Sequence, residues 1–246
     1  MSSEQATFWD HLDELRSCIF RSLIVVASTG IVAFLLKDDL FSVVLAPRSS
    51  DFCSYRLLGV DEVFTIHLMN TELTEQFMTH MRVALYTGLL VASPYVLYQI
   101  FSFISPGLYL NERKAAVWIV GSVYLMFILG TLLNYFLIFP LTLRFLATYQ
   151  VSPEVANMLT LQSYIDTLIS LSFTMGLVFE LPVVCAILGR MGFLSRRVMS
   201  DYRRHAVVAI LVVAAIITPT TDAFTLFIVA MPIWLLYELS IFLVKK

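Results

Sequence analysis

Apolar residues along this chain form six runs separated by shorter polar stretches. The runs cover residues 18–36, 83–104, 115–140, 163–188, 206–218 and 224–243. A helix needs about 20 apolar residues to cross the roughly 30 Å hydrocarbon core of a bilayer. Four runs clear that length, the first comes close, and the fifth, with thirteen residues, is too short. The pattern predicts an all-α integral membrane protein with six transmembrane helices, because these runs lack the alternation typical of barrel strands.

The composition agrees with a membrane-embedded chain. Only 14% of the residues are charged and 59% are hydrophobic, whereas an ordinary soluble domain is about 25% charged. Six helices and their connections use up most of the 246 residues. We therefore expect one transmembrane domain over residues 1–246, with no separate soluble domain.

The placement of Lys and Arg predicts the orientation of the chain in the membrane. If the N-terminus is cytoplasmic, eleven basic residues fall on inner segments and five on outer segments. Cytoplasmic loops carry this excess in membrane proteins. The strongest contribution is the short stretch 190–204, which holds five arginines. The pattern predicts that both termini lie inside.

The fifth run differs from the others in length, and a short turn joins it to the sixth. Thirteen helical residues rise only about 20 Å, and Pro219 ends the fifth run. The sixth run begins just after Asp222. We expect a shallow hairpin that thins the bilayer locally.

The loop between the first two runs ends in an amphipathic stretch. Its apolar residues recur at helical spacing: Leu73, Phe77, Met78 and Met81. This predicts a helix capped by Asn70 or Thr71 that runs on into the second span. Two interpretations stay open. The helix packs on the membrane surface or on its own bundle, or it is a lid that binds a partner.

Glu180 is the most unusual residue inside an apolar run. It precedes Pro182 by two residues within the fourth run, and Pro94 and Pro232 interrupt the second and sixth. A carboxylate at that depth is costly, so it is a functional candidate by default. The alternative is structural: the acid bridges the carbonyl that Pro182 leaves without a helical partner.

Sequence signatures of enzymes are absent from the chain. It has no phosphate loop, no H-E-x-x-H and no G-x-S-x-G, and its four histidines show no metal-ligand spacing. We expect no enzymatic activity, no catalytic residue, no bound metal and no cofactor.

Two inner segments carry an acid beside a base near a helix boundary. Glu14 lies two residues before Arg16, and Glu112 directly precedes Arg113. Two anionic points on one cytoplasmic surface suit a ligand with two cations, through bidentate arginine–carboxylate pairing. The alternative is that these charges only solvate the ends of the helices.

Several strings in the chain resemble one family. They include His11-Leu12-Asp13-Glu14-Leu15-Arg16, Ala46-Pro47, Ser93-Pro94 with Leu97-Tyr98-Gln99, Phe103-Ile104, Pro106, Leu108-Tyr109, Glu112-Arg113, Phe179-Glu180-Leu181-Pro182, Thr218-Pro219, Pro232 and Glu238. Their order is similar to that of the TatC family, the multispanning receptor of the twin-arginine protein translocase. Relative to that family, residues 51–62 lengthen the first outer loop.

The resemblance implies a fold and a function. The fold is a curved bundle of six helices, N-in and C-in, with short fifth and sixth helices. The function is that of the core receptor subunit, which binds twin-arginine signal peptides of folded proteins at the cytoplasmic face and scaffolds the translocation site, driven by the proton-motive force. The implied signal-peptide-binding residues are Glu14, Glu112, Arg16, Gln99, Phe103 and Arg113. Glu180 is implied as a membrane-embedded polar residue and Pro47 as a structural residue of the outer loop.

The resemblance also implies partners and a location. The partners are signal peptides, single-span subunits of the TatA and TatB types, the lipid bilayer and further copies of the chain, with no nucleic acid. The location is the bacterial cytoplasmic (inner) membrane. Two other classes stay open. One is a proton-coupled secondary transporter that uses Glu180. The other is a structural subunit, in which Glu14 and Glu112 can be neutralised without loss.

Overall fold

Helices make up almost all of the structure, a computed structural model that describes residues 8–57, 59, 64–104, 113–149, 152, 158–218 and 222–244. Within these residues the helices are α1 (Phe8–Leu35), α2 (Lys37–Val44), α3 (Cys53–Leu57), α4 (Glu75–Ile104), α5 (Arg113–Leu133), α6 (Phe139–Thr148), α7 (Leu161–Val178), α8 (Leu181–Arg190), α9 (Arg196–Asp201), α10 (Arg203–Ile217) and α11 (Ala223–Leu243). Two short strands, β1 (Leu68–Met69) and β2 (Leu159–Thr160), pair in parallel.

Five helical stretches are long and apolar enough to cross a membrane. They are Leu12–Leu35, Glu75–Ile100, Val120–Thr148, Leu161–Arg190 and Ala223–Leu243. Each contains or overlaps one of the apolar runs, so five of the six predicted spans have their counterpart. The remaining run forms α10, whose 15 residues rise about 22 Å. The prediction of a short fifth helix is therefore confirmed.

The expectation of a short sixth helix is wrong. The last helix, α11, has 21 residues, enough for about 30 Å of hydrocarbon. Asp222 caps its start: the carboxylate accepts a hydrogen bond from the N–H of Thr225 at 2.7 Å. The hairpin of α10 and α11 thus joins one short helix to one of full length.

Large apolar side chains point outward along the spanning helices. On α1 they include Ile19, Phe20, Leu23, Ile24, Ile31 and Leu35. A soluble helix would turn such residues toward a core. An exposed apolar surface of this extent is typical of contact with lipid, which agrees with the membrane class predicted from the sequence.

The chain divides into two compact units by its internal contacts. The first comprises residues 1–41 and 80–124, and the second comprises residues 42–79 and 125–246. The expected single domain over residues 1–246 stays a prediction.

In the first unit, α1 and α4 touch backbone to backbone. The Thr29 hydroxyl donates to the carbonyl oxygen of Gly88 at 2.9 Å. A Cβ at Gly88 would lie 2.5 Å from the backbone nitrogen of Gly30, so glycine is required there. Farther along α1, the ring of Phe34 stacks on His80 with centroids 4.0 Å apart. Since His80 precedes Gly88 while Phe34 follows Thr29, the two helices run antiparallel.

The core of the second unit lies where α7, α10 and α11 pack together. Its fully or nearly buried residues are Ile138, Leu171, Met175, Phe179, Ile210, Ala214, Val229, Ala230, Ile233 and Leu236. A π-helical segment, Asn134–Ile138, joins α5 to α6 without a break. The third span therefore continues to Thr148, eight residues beyond the predicted end.

The predicted amphipathic helix exists, but it begins later than expected. Helix α4 starts at Glu75, not after Asn70 or Thr71, because the Glu75 carboxylate takes the N–H groups of Thr71 and Glu72 and holds them in a turn. The helix then continues unbroken into the second span. Its apolar residues are largely exposed: Leu73 fully, and Phe77 about half.

Candidate functional site

Glu14 and Arg16 lie near the start of α1. The helix begins at Phe8 and continues into the first span without interruption, so both residues stand on a continuous helix. Both side chains are exposed. The Arg16 guanidinium lies 5.7 Å from the centroid of the Phe20 ring, close enough for a cation–π contact. This contact holds Arg16 along the helix and toward the apolar span.

Gln99 and Phe103 lie in the last turns of α4. Gln99 is half-buried, and its Nε2 donates to the hydroxyl of Tyr95 at 2.6 Å. The two residues are one turn apart, so the tyrosine fixes the orientation of the amide. Phe103 is also half-buried. The end of α4 therefore offers one oriented amide and one aromatic ring.

The antiparallel pairing of α1 and α4 brings these two groups to the same end of the first unit. Glu14 lies fifteen residues before Thr29, and Phe103 lies fifteen residues after Gly88. With a helical rise of about 1.5 Å per residue, each lies about 22 Å along its helix from the contact, in the same direction. Glu14 on α1 and Phe103 on α4 thus lie at the same height along the helix pair, a relationship that we call their shared level.

The second predicted acid, Glu112, lies outside the described residues. Its neighbour Arg113 is the first residue of α5 and therefore lies at the start of a spanning helix. The meeting of Glu14 with Glu112 at one ligand stays a prediction.

Glu180 lies at a break in the fourth span. Helix α7 ends at Val178 and α8 begins at Leu181, so Phe179 and Glu180 form the joint. Both carboxylate oxygens of Glu180 are buried, and neither has a hydrogen-bond partner within the described ranges. Buried polar atoms are nearly always paired in folded proteins. The acid therefore has unused hydrogen-bonding capacity inside the membrane segment.

The break changes the expected role of Pro182. The sequence suggested a proline in the interior of a helix, but Pro182 lies in the first turn of α8. A missing N–H costs little there, because the first N–H groups of a helix have no helical partner. The N–H of Val184 bonds to the carbonyl of Glu180 at 2.9 Å, which is the ordinary i→i−4 bond of the first turn of α8.

Pro47 is buried in the 3₁₀ turn Ala46–Arg48, where the resemblance expected a structural residue. The Tyr55 hydroxyl lies 3.0 Å from the carbonyl oxygens of both Pro47 and Pro140. Tyr55 is fully buried. It belongs to α3, inside the segment 51–62 that lengthens the first outer loop. This segment therefore has a structural role: its Tyr55 hydroxyl connects the 3₁₀ turn at Pro47 to the first turn of α6 at Pro140.

Glu75 is a site residue that the sequence analysis missed. Only 2% of its surface is exposed. Its Oε1 accepts from the N–H of Gln162 at 2.9 Å, and its Oε2 accepts from the N–H of Thr71 at 2.6 Å and of Glu72 at 3.1 Å. Glu75 thus joins the start of α4 to the start of α7, beside the β1–β2 pair. An acid before an apolar helix looks like an ordinary solvated end in sequence, so no local signal marks it.

The described residues contain no group of three or more His, Cys, Asp or Glu side chains that could hold a metal ion. The three cysteines, Cys18, Cys53 and Cys185, are all free. Exposed acids, oriented polar groups and two acids with buried carboxylates, Glu75 and Glu180, make up the candidate chemistry. Exposed acids and oriented polar groups suit recognition of a charged ligand.

Long apolar helices with lipid-facing side chains define a multi-span membrane protein. Residues 10–232 match the family described as "Sec-independent protein translocase protein (TatC)". The chain belongs to the TatC family, and its function is that of a protein translocase component.

Curated relatives cover nearly the whole chain. The TatC protein of Carboxydothermus hydrogenoformans is 31% identical over 245 residues, which are 100% of this chain and 95% of that protein. The TatC protein of Koribacter versatilis is 34% identical, over 96% of this chain and 83% of that protein. A chloroplastic relative from Pisum sativum is 32% identical over 98% of this chain and 65% of that protein.

Two solved structures share the fold. Both are described as the twin arginine translocase receptor TatC, one of them in the detergent DDM. The first has a TM-score of 0.75 and 32% identity, and the alignment covers 95% of this chain and 97% of that chain. The second has a TM-score of 0.78 and 30% identity, with coverage of 96% and 100%.

Proposed function

We propose that this chain is the receptor subunit that binds twin-arginine signal peptides, with Glu14 as one of the two carboxylates that engage the arginine pair. The observation that carries the proposal is the shared level of Glu14 on α1 and Phe103 on α4. An exposed acid at the same height as an aromatic ring on the paired helix suits a guanidinium group, which pairs with carboxylates and stacks on rings. Glu112 would supply the second carboxylate.

The neighbouring residues fit supporting roles in this site. Gln99, held by Tyr95, offers an amide that can hydrogen-bond to the backbone of an extended peptide. Arg16 lies two residues after Glu14, and Arg113 directly follows Glu112, so each acid has a basic neighbour in the sequence. An ionised carboxylate forms a stronger, charge-assisted hydrogen bond with arginine than a protonated one does.

We place the site on the cytoplasmic side, with six spans and both termini inside. The excess of Lys and Arg on the inner segments supports this orientation. The short helix α10 counts as the fifth span, and the bilayer would be thin beside it. The membrane is the inner membrane of a bacterium. Folded cargo would cross with energy from the proton-motive force, since the chain carries no nucleotide-binding motif.

The exposed apolar surface of α10 and α11 supports docking of the single-span TatA- and TatB-type subunits. Ile216 on α10 and Phe227 on α11 are mostly exposed, and Met231 is about half exposed. Helices of partner subunits would pack on this edge by close van der Waals contact. The assembled complex would contain several copies of the chain and no nucleic acid.

Glu180 would act in this complex as a membrane-embedded polar contact. Its two buried, unpartnered oxygens support that role, because a polar group of a docking helix could pair with them. The same oxygens were the basis for the alternative of a proton-coupled transporter. Membership in a translocase family makes that alternative the weaker one.

Binding of a labelled signal peptide to the purified protein in detergent tests the proposal. Peptides with twin arginines and with twin lysines are compared on the parent, on Glu14→Gln and on Glu112→Gln. Each substitution removes one charged pair, so affinity for the arginine peptide should fall about ten- to a hundredfold. In each variant, the preference for the twin-arginine peptide over the twin-lysine peptide should also become smaller.

Asp13→Asn is the matched control, because Asp13 is exposed, adjacent and equally charged. It should leave the affinity within about twofold of the parent. Equal losses for Asp13→Asn and Glu14→Gln would mean that only the general negative charge of the helix start matters. Unchanged binding in both Glu variants would contradict the proposed site.

A further inference from the structure

Five arginines cluster in the segment 190–204, which takes no part in the proposed signal-peptide site. It joins α8 to α10 through α9, and its only acid is Asp201. All five arginine side chains are exposed. We call this segment the arginine connector. A cluster of this density at the ends of spanning helices attracts negative charge.

The arginine connector is held rigidly against the end of α11. The Ser195 hydroxyl caps α9 by accepting from the N–H of Val198 at 3.3 Å. Met199 is buried against Ile241 and Val244, and the Tyr237 hydroxyl donates to the carbonyl of Met199 at 2.7 Å. The backbone that carries the arginines is therefore fixed before a ligand binds, which lowers the entropic cost of binding.

Two of the five arginines already have partners. Arg203 pairs with Glu238 at 2.9 Å, and the Arg196 guanidinium lies 5.5 Å above the Phe242 ring. Within the part of the chain that the structure describes, the remaining three show no ion pair: Arg190, Arg197 and Arg204. Their charge is available to a ligand outside this chain.

Exposed apolar side chains lie among these cations. Phe193 is 76% exposed, Met191 is 63% exposed and Tyr202 is 58% exposed. Val198 and Tyr202 are one turn apart at α9, so they share a flank. Cations mixed with exposed aromatic and aliphatic side chains at the ends of spanning helices are typical of contact with the membrane interface.

We propose that the arginine connector is a binding site for anionic phospholipid. Arg190, Arg197 and Arg204 engage the phosphate and the anionic headgroup by forked, bidentate hydrogen bonds, while Phe193 enters the acyl region. Juxtamembrane clusters of basic residues bind acidic lipids in this way. An acidic protein surface would match the charge but would leave Phe193 and Met191 in water, so the apolar residues favour lipid.

Native mass spectrometry of the purified full chain tests this site, with phosphatidylglycerol and phosphatidylcholine of matched acyl chains as probes. The parent should retain phosphatidylglycerol in preference to phosphatidylcholine. The triple variant Arg190→Gln, Arg197→Gln, Arg204→Gln should bind phosphatidylglycerol about a hundredfold more weakly. The corresponding triple Lys variant keeps the charge but loses the forked hydrogen bonds, so it should recover only part of the preference.

A charge-matched control removes three exposed cations elsewhere in the chain: Lys37→Gln, Arg48→Gln and Arg56→Gln. It should retain the lipid preference of the parent. Inorganic phosphate should not compete, because the acyl chains contribute to binding. Equal retention of both lipids by the parent, or full preference in the Gln triple, would overturn the proposal. So would selective binding of an acidic peptide without any preference for phosphatidylglycerol. Signal-peptide binding is measured separately and does not depend on this result.

Discussion

The hydroxyl of Tyr55 lies 3.0 Å from the carbonyl oxygen of Pro140, 85 residues farther along the chain. The same hydroxyl lies 3.0 Å from the carbonyl of Pro47. The phenol is fully buried, and a buried hydroxyl needs a partner within the protein. Two other tyrosines bind the same region: Tyr135 donates to Val43 at 2.7 Å, and Tyr164 donates to Val44 at 2.9 Å. Tyrosine hydroxyls therefore hold the first long loop on the ends of the helices.

Tyr55→Phe should destabilise the protein by about 1–3 kcal/mol, because it leaves two carbonyls without their shared donor and keeps the ring. Thermal unfolding in detergent measures the loss. Tyr98→Phe is the matched control, since Tyr98 is mostly exposed, and it should leave the stability unchanged. An unchanged unfolding temperature in Tyr55→Phe would show that the hydroxyl is dispensable.

Alkaline pH should also weaken this contact. Burial raises the pKa of Tyr55 above its ordinary value of 10.0. The folded state therefore holds the phenolic proton more tightly than the unfolded state does, so stability is complete below about pH 10 and falls as the pH rises further. Unfolding temperatures of the parent and of Tyr55→Phe, measured from pH 8 to pH 11, should converge at the alkaline end. Parallel curves would contradict this account.

Glu75→Gln should loosen the junction between α4 and α7. The substitution replaces one acceptor oxygen by an NH₂ group, which faces backbone N–H donors instead of accepting from them. We expect a lower unfolding temperature and faster proteolysis of the chain near residues 68–75. Glu72→Gln is the control, because Glu72 contributes its backbone N–H and not its carboxylate. Equal behaviour of the two variants would exclude the proposed role of the Glu75 side chain.

Gly88→Ala should push α1 away from α4. The added Cβ would lie 2.5 Å from the backbone nitrogen of Gly30, and neither backbone can yield locally, so we expect a loss of about 1–3 kcal/mol. Signal-peptide affinity should fall as well, because Glu14 and Phe103 depend on this pairing. Gly121→Ala has open space around it and should be neutral or slightly stabilising. A stable Gly88→Ala protein with normal peptide binding would contradict the pairing.

The sequence predicted the long helices well because lipid imposes a simple length requirement on them. Runs of apolar residues marked five spans, and the thirteen-residue run marked the short one. Proline positions were less informative. Pro182 reads the same in sequence whether it kinks one helix or starts another, and only the folded chain places it in the first turn of α8.

Residues that join distant segments were the hardest to predict. Tyr55 reaches Pro140, and Glu75 reaches Gln162, 87 residues away. Neither contact leaves a periodic or local pattern, because each depends on how loops fold back on the helix ends. The candidate signal site stays a prediction. The structure shows only where its described residues lie: Glu14 and Arg16 share one helix start, and Gln99 and Phe103 share one helix end.

A double-mutant cycle between Glu14 and one arginine of the signal peptide tests the central claim most directly. Peptide binding is measured for the parent and Glu14→Gln, each with the natural peptide and with that arginine changed to glutamine. If the two groups pair, the second change costs little once the first is made, and the coupling should be about 1–2 kcal/mol for at least one of the two arginines. Losses that add within about 0.5 kcal/mol for both arginines would show that Glu14 does not contact the pair.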